Sequence, residues 1–186
     1  MDIQNIWERL KSKVNADNLM KPRTCLLSEI GRPRIPEYHD FIPMDHGFVL
    51  KINIDKPGYL LVLEREPSGA IWCWCPSEWV PEFYFETGEF TFPLEDISPY
   101  RTFEPCEVGK EELLAIVTPE KLPLTWLDTN KQVALELEDR KLNELSIFLE
   151  SGLDYQMFFS SYLVVPTKQD FYDMYSVRNR IANQSL

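Results

Sequence analysis

The chain has 186 residues, 44% of them hydrophobic and 26% charged, which is long enough for one domain with a real core and too short for two comfortable ones. Its net charge of −11 opposes the broad basic field that a nucleic-acid binder needs, so nucleic acid is not an expected partner. No run approaches the ~18 apolar residues of a membrane span, and MDIQNIWERLKSKV carries scattered charges with no apolar h-region, so neither a membrane nor a signal peptide is expected. A cytoplasmic location follows as the default, with Cys25, Cys73, Cys75 and Cys106 as reduced thiols.

The charge is uneven. Residues 1–34 hold seven Lys or Arg (Arg9, Lys11, Lys13, Lys21, Arg23, Arg32 and Arg34) against four acids, a net of +3. Residues 78–112 hold ten acids against Arg101 and Lys110, a net of −8. The basic segment reads first as a solvated helix face, with contact to the acidic middle of the same chain as the other reading. Aromatics reach 13%, and 14 prolines stand against 7 glycines, a composition that favours short punctuated strands over a helix bundle.

In chain order, Ile3, Ile6, Trp7, Leu10 and Val14 recur at helical spacing, predicting an amphipathic helix over 2–14. RPRIPEYHDFIPMDHG follows, whose Pro33, Pro36 and Pro43 argue against regular structure before Gly47. The period then becomes two. FVLKINI (48–54), YLLVLER (59–65) and AIWCWC (70–75), separated by KPG and EPSG, read as consecutive antiparallel hairpin strands. EFTFP (89–93) reads as a short strand, and ELLAIVTP (112–119) as one buried on both faces. Thr129 and Gln132 have capping-box spacing, and Leu135, Leu142, Leu145 and Leu149 form the stripe of a helix over about 130–151 that stops at Gly152. MFFSSYLVVP (157–166) predicts a late strand, and Thr167 with Asp170 can cap a last helix carrying Phe171, Met174, Tyr175 and Ile181. The expected class is α+β, a mainly antiparallel β-sandwich core with helices added at the N- and C-terminal ends. It is read as a single domain over 1–186, with the N-terminal helix in 1–20, the β core at 47–123 and a helix–strand–helix extension over 129–186.

Residues 48–123 resemble a bacterial β-sandwich family of unknown function whose members often accompany caspase-like peptidases and protein kinases. In PGYLLVLERE, Gly58 and Tyr59 match the family's Gly-Tyr start, and a tight turn at Gly69 leads to a strand closing on Pro76. A later strand ends at Pro93, and in EPCEVGKEELLAIVTPEKLP the residues Pro105, Gly109 and Glu111 match the family's approach to its late strand. Ser77 stands where the family usually has asparagine, and less than half of the chain is covered. The resemblance implies an immunoglobulin-like accessory module with no catalytic residues to carry over, and a separate peptidase or kinase chain as partner.

The AIWCWCPSEW stretch holds the densest candidate chemistry. Strict alternation puts Ile71, Cys73 and Cys75 on one face and Trp72 and Trp74 on the other. Cys73 and Cys75 read first as core packing, since reduced cysteine is commonly buried. With His39 and His46 they are the low-ranked metal ligands, and with His46 a low-ranked catalytic pair. Trp72 and Trp74 would be covered by the chain's own helices; with Trp79 they could instead form a carbohydrate platform. The dyads His39–Asp40 and Asp45–His46 lie in a proline-rich loop, where Asp more often forms turns. Trp7, Glu82, Glu86 and Glu89 are the candidate partner-binding residues, the first on a helix read as a detachable docking element and the rest in VPEFYFETGEF. No phosphate loop, dinucleotide fingerprint or nucleophile elbow is present, and no cofactor is expected. The function expected is that of a noncatalytic regulatory module that binds another protein. The alternatives are a thiol- or metal-dependent hydrolase using Cys73 or Cys75 with His46, and a carbohydrate-binding sandwich using Trp72, Trp74 and Trp79.

Overall fold

The two-residue period at the middle of the chain does build strands, and they fall into two sheets. The computed structural model describes residues 2–14, 21–24, 41–44, 47–78, 80, 84–92, 104–128, 134–152 and 154–166. Its elements are α1 (Ile3–Lys11), β1 (Lys21–Thr24), β2 (Phe41–Pro43), β3 (Phe48–Ile54), β4 (Gly58–Arg65), β5 (Ile71–Cys75), β6 (Tyr84–Phe85), β7 (Gly88–Phe92), β8 (Gly109–Thr118), α2 (Thr125–Asp128), β9 (Leu135–Glu136), α3 (Asp139–Glu150) and β10 (Gln156–Val165). The larger sheet runs β2-β10-β8-β4-β5-β9, with β6 pairing on β4, and the smaller runs β1-β3-β7.

The larger sheet is mixed, because β2 lies parallel to β10 while the other pairs are antiparallel, and the strand orders leave both sheets unclosed. The sheet-rich α+β class therefore stands, while an immunoglobulin-like sandwich does not follow from this order. β4 and β8 sit at the centre and are apolar on both faces. Leu60, Val62, Leu113, Ala115 and Val117 share a core with Phe48, Ile52 and Ile54 of the smaller sheet. Leu61, Leu63, Leu114 and Ile116 share another with Ile6, Trp7 and Leu10 of α1 and Leu142, Leu145 and Leu149 of α3. Burying a large aliphatic side chain stabilises by roughly 1.5–3 kcal/mol, so the central strands are anchored from both sides.

Three expectations need correction. β3 and β4 are not a hairpin: β3 pairs with β1 and β7, and the KPG turn carries the chain from one sheet to the other. The prolines before Gly47 do not exclude structure, since Phe41–Pro43 forms the edge strand β2, where a missing amide donor is tolerated. The predicted helix over 130–151 begins only at Asp139, and Leu135 and Glu136 pair instead with Cys73 and Trp72. Gly152, at φ +92°, does end it. The proposed last helix, from Thr167 through Ile181, and the cap residues Thr129 and Gln132 lie outside the described residues. No described helix is long and apolar enough to cross a membrane.

Candidate functional site

On β5, alternation fails at one point. Cys73 pairs with Leu63 and Cys75 with Val62, so two steps on β5 match one on β4, and Trp74 is the extra residue of a bulge. Ile71 and Cys73 consequently face the helices, whereas Cys75 faces the smaller sheet with Leu60 and Val62. The two cysteines do not share a face. Both have no exposed surface. The Cys73 thiol donates to the Cys75 carbonyl at 3.3 Å and the Cys75 thiol to the Leu60 carbonyl at 3.3 Å. Burial pushes Cys73 up to about 12 and Cys75 well above the ordinary thiol range, which removes the thiolate that nucleophile and metal chemistry both require. Cys106 is the exposed thiol among the described residues. Its acidity is also weakened, first by burial and then by Glu64, Glu66, Glu111 and Glu104.

Among the described residues, no group of three or more His, Cys, Asp or Glu gathers as a metal site would. Cys25, His39, His46, Trp79 and Glu82 lie outside the described residues. Trp72 and Trp74 are half-buried, and the described helices α1 and α3 do not cover them, lying instead on the Ile71–Cys73 face. Trp74 packs on the core shared with the smaller sheet. The buried Nε1 of Trp72 has no hydrogen-bond partner among the described residues.

Trp7, expected at a partner surface, is a core residue with no exposure. Its indole donates to Glu112 Oε2 at 2.8 Å, linking α1 to the start of β8. Glu112, itself 1% exposed, also accepts from Lys11 Nζ at 2.8 Å, Lys110 Nζ at 2.6 Å and Arg65 Nη1 at 3.0 Å. Burial alone would raise its pKa, but these four donors hold it down at about 2. Arg65 Nη2 further donates to Gln4 Oε1, while Arg9 reaches Ser146 at 2.8 Å and Glu150 at 3.4 Å. The basic helix thus contacts the acidic middle of its own chain, the less favoured of the two sequence readings.

The neighbouring Glu111 projects to the opposite face and meets different surroundings. It lies across from Tyr162 in the β8–β10 register, whose hydroxyl donates to Glu111 Oε2 at 2.6 Å. Glu64 of β4 joins it there, on the same face and diagonal to it in the β4–β8 register, accepting from Trp74 Nε1 at 2.5 Å. Glu64 and Glu111 are 7% and 1% exposed. Burial first, then like-charge neighbours, raise Glu64 to about 7 and Glu111 to about 8, so the pair retains a proton where ordinary carboxyls have none. Tyr162 is pushed well above its usual value, by burial and then by both glutamates. The sequence pattern does not announce this cluster: Glu111 falls within the acidic segment 78–112, and Glu64 sits among the apolar residues of YLLVLER. The signal it does carry is position: Glu64 lies at the end and Glu111 at the start of strands that are apolar on both faces.

Of the acidic-aromatic segment, Glu86 and Glu89 are exposed, as expected. Tyr84 is 51% exposed and packs edge-on against Tyr59 with ring centroids 5.3 Å apart. Glu89 is bound to Lys51 at 2.6 Å, leaving Glu86 without an ion pair among the described residues. β7 pairs with β3 along one edge, and among the described residues no strand occupies its other edge. No protein-family model, curated protein or solved structure matches the chain.

Proposed function

We propose that the chain is a noncatalytic interaction module that presents its β6–β7 segment to a basic, extended segment of another protein. The observation that carries this reading is the combination, among the described residues, of an open β7 edge, an exposed aromatic in Tyr84, and a Glu86 carboxylate that forms no ion pair. Strand addition would supply main-chain hydrogen bonds, and the acids would select a basic sequence and hasten encounter. Within the same proposal, the two sheets act as a sandwich-like scaffold, immunoglobulin-like in use, and the partner is a separate peptidase or kinase chain in the cytoplasm. That partner class rests on the family resemblance of residues 48–123. The thiol alternative is disfavoured because Cys73 and Cys75 are enclosed in two different cores.

A labelled short peptide of alternating Lys and Val, titrated by fluorescence anisotropy at low and at physiological salt, tests the proposal. Binding should weaken with salt, and Glu86→Lys should weaken it at least about tenfold at low salt, since facing like charges across an interface costs more than ~1.4 kcal/mol. Binding that is absent in the wild type, or unchanged in Glu86→Lys and Tyr84→Ala, rejects this surface.

A further inference from the structure

We propose that Glu64 and Glu111 hold one shared proton across β4 and β8, and that its loss weakens the packing of the smaller sheet on the larger. The geometry is a buried acid pair that meets no cation among the described residues. Glu64 lies diagonal to Glu111 on the face that β3 covers, and the groups contacting the pair are neutral donors: Trp74 from β5 and Tyr162 from β10. Neither carboxyl forms an ion pair among the described residues. Among the described residues, the other titratable groups acting on this site are Glu66, which follows β4, and Cys106 on the approach to β8, both acidic or neutral. Lys110 and Arg65, adjacent in sequence, point to the opposite face and are taken up by Glu112.

Two buried carboxylates in this position cannot both ionise without large mutual repulsion, whereas one proton between them turns repulsion into a hydrogen bond. Tyr162 connects that bond to the sheet interface. Its hydroxyl donates to Glu111, and its ring packs edge-on against Phe48 of β3 with centroids 5.1 Å apart. When the pair loses its proton, the second charge needs water, and hydrating Glu111 competes with the Tyr162 hydroxyl that it accepts from. The device is therefore a pH-sensitive clasp between sheets.

The sign is fixed by linkage. Both carboxyls bind protons more tightly in the folded chain than in the unfolded one, so stability falls as pH rises from the ordinary carboxyl range toward about 8 and then levels off. One linked proton changes the folding constant up to about tenfold per pH unit. The test combines urea unfolding of the full chain from pH 6 to 9 with NMR titration of ¹³Cδ-labelled glutamate. The wild type should lose stability across this range and show glutamate resonances titrating near neutrality. Glu64→Gln and Glu111→Gln should each remove one of those resonances, and the double variant should flatten the stability profile between pH 6 and 8. Should a variant fail to fold, the wild-type resonances still decide. If every glutamate titrates below about pH 5.5, or the double variant keeps the wild-type slope, the clasp does not exist.

Discussion

Replacing Glu112 by Gln tests how α1 is held to the sheet. The substitution keeps the side-chain shape and one carbonyl acceptor for Trp7, but removes the charge that Lys11, Lys110 and Arg65 surround. The distance between an ordinary value of 4.5 and about 2, at ~1.4 kcal/mol per pH unit, corresponds to roughly 3 kcal/mol in favour of the folded state at neutral pH. Lys110 is 59% exposed, and water screens its share, so a loss of about 2–3 kcal/mol is expected. Because the folded value is depressed, this contribution is complete above about pH 5 and declines as pH falls toward 2. At pH 3 about two-fifths of it remains. Urea unfolding followed by tryptophan fluorescence, at pH 7 and pH 3, measures both numbers. A wild-type-to-variant gap below about 0.5 kcal/mol at pH 7, which is the scale of an ordinary surface substitution, would refute the buried-hub account. So would a gap that does not shrink on acidification.

Two further outcomes bear on the rest of the fold. Iodoacetamide near neutral pH should label Cys106 while leaving Cys73 and Cys75 intact until denaturant is added, as mass mapping of the peptides will show; rapid native labelling of either β5 thiol would restore the nucleophile reading. Gly58→Ala would place a Cβ 2.4 Å from the Thr118 carbonyl oxygen, forcing β4 away from β8 at a cost of about 2–3 kcal/mol. Gly152→Ala meets nothing within 4 Å at its φ of +92° and should cost only about 1–2 kcal/mol; equal urea midpoints for the two variants would contradict the steric account.

The strands that could be read from the sequence are those with an unambiguous period. FVLKINI became β3 with the expected bounds, and the continuous run of ELLAIVTP became a strand buried on both faces. What the local pattern did not convey was which sheet each strand joins. KPG has the length of a hairpin turn, yet β3 and β4 separate there. Their burial differs accordingly: Phe48, Ile52 and Ile54 are buried while Asn53 is exposed, whereas β4 is enclosed on both sides. That contrast is present in the residues, since FVLKINI is interrupted by Lys51 and Asn53 and LLVL is not. The bulge at Trp74 carried no glycine or other local mark, so the cysteines were assigned a common face. Trp7 was correctly placed on an apolar helical stripe, but only the tertiary contact with Glu112 shows that this face is already occupied.

The unlike fates of Glu111 and Glu112 also bear on how β8 finds its alignment. Its run Leu113–Val117 is apolar throughout, so hydrophobic alternation, which usually fixes strand register, distinguishes poorly between neighbouring alignments there. The two glutamates discriminate instead. A slip of one residue in one direction sets Leu113 among Trp7, Lys11 and Arg65; a slip in the other sets Lys110 beside Glu64 and Tyr162. The first slip leaves Trp7, Lys11 and Arg65 without their shared carboxylate, and the second strips the Lys110 ammonium of water with only Glu64 to offset the loss. Adjacent acids with opposite solutions to burial thus serve β8 as an alignment key, specifying a pairing that its greasy centre leaves open.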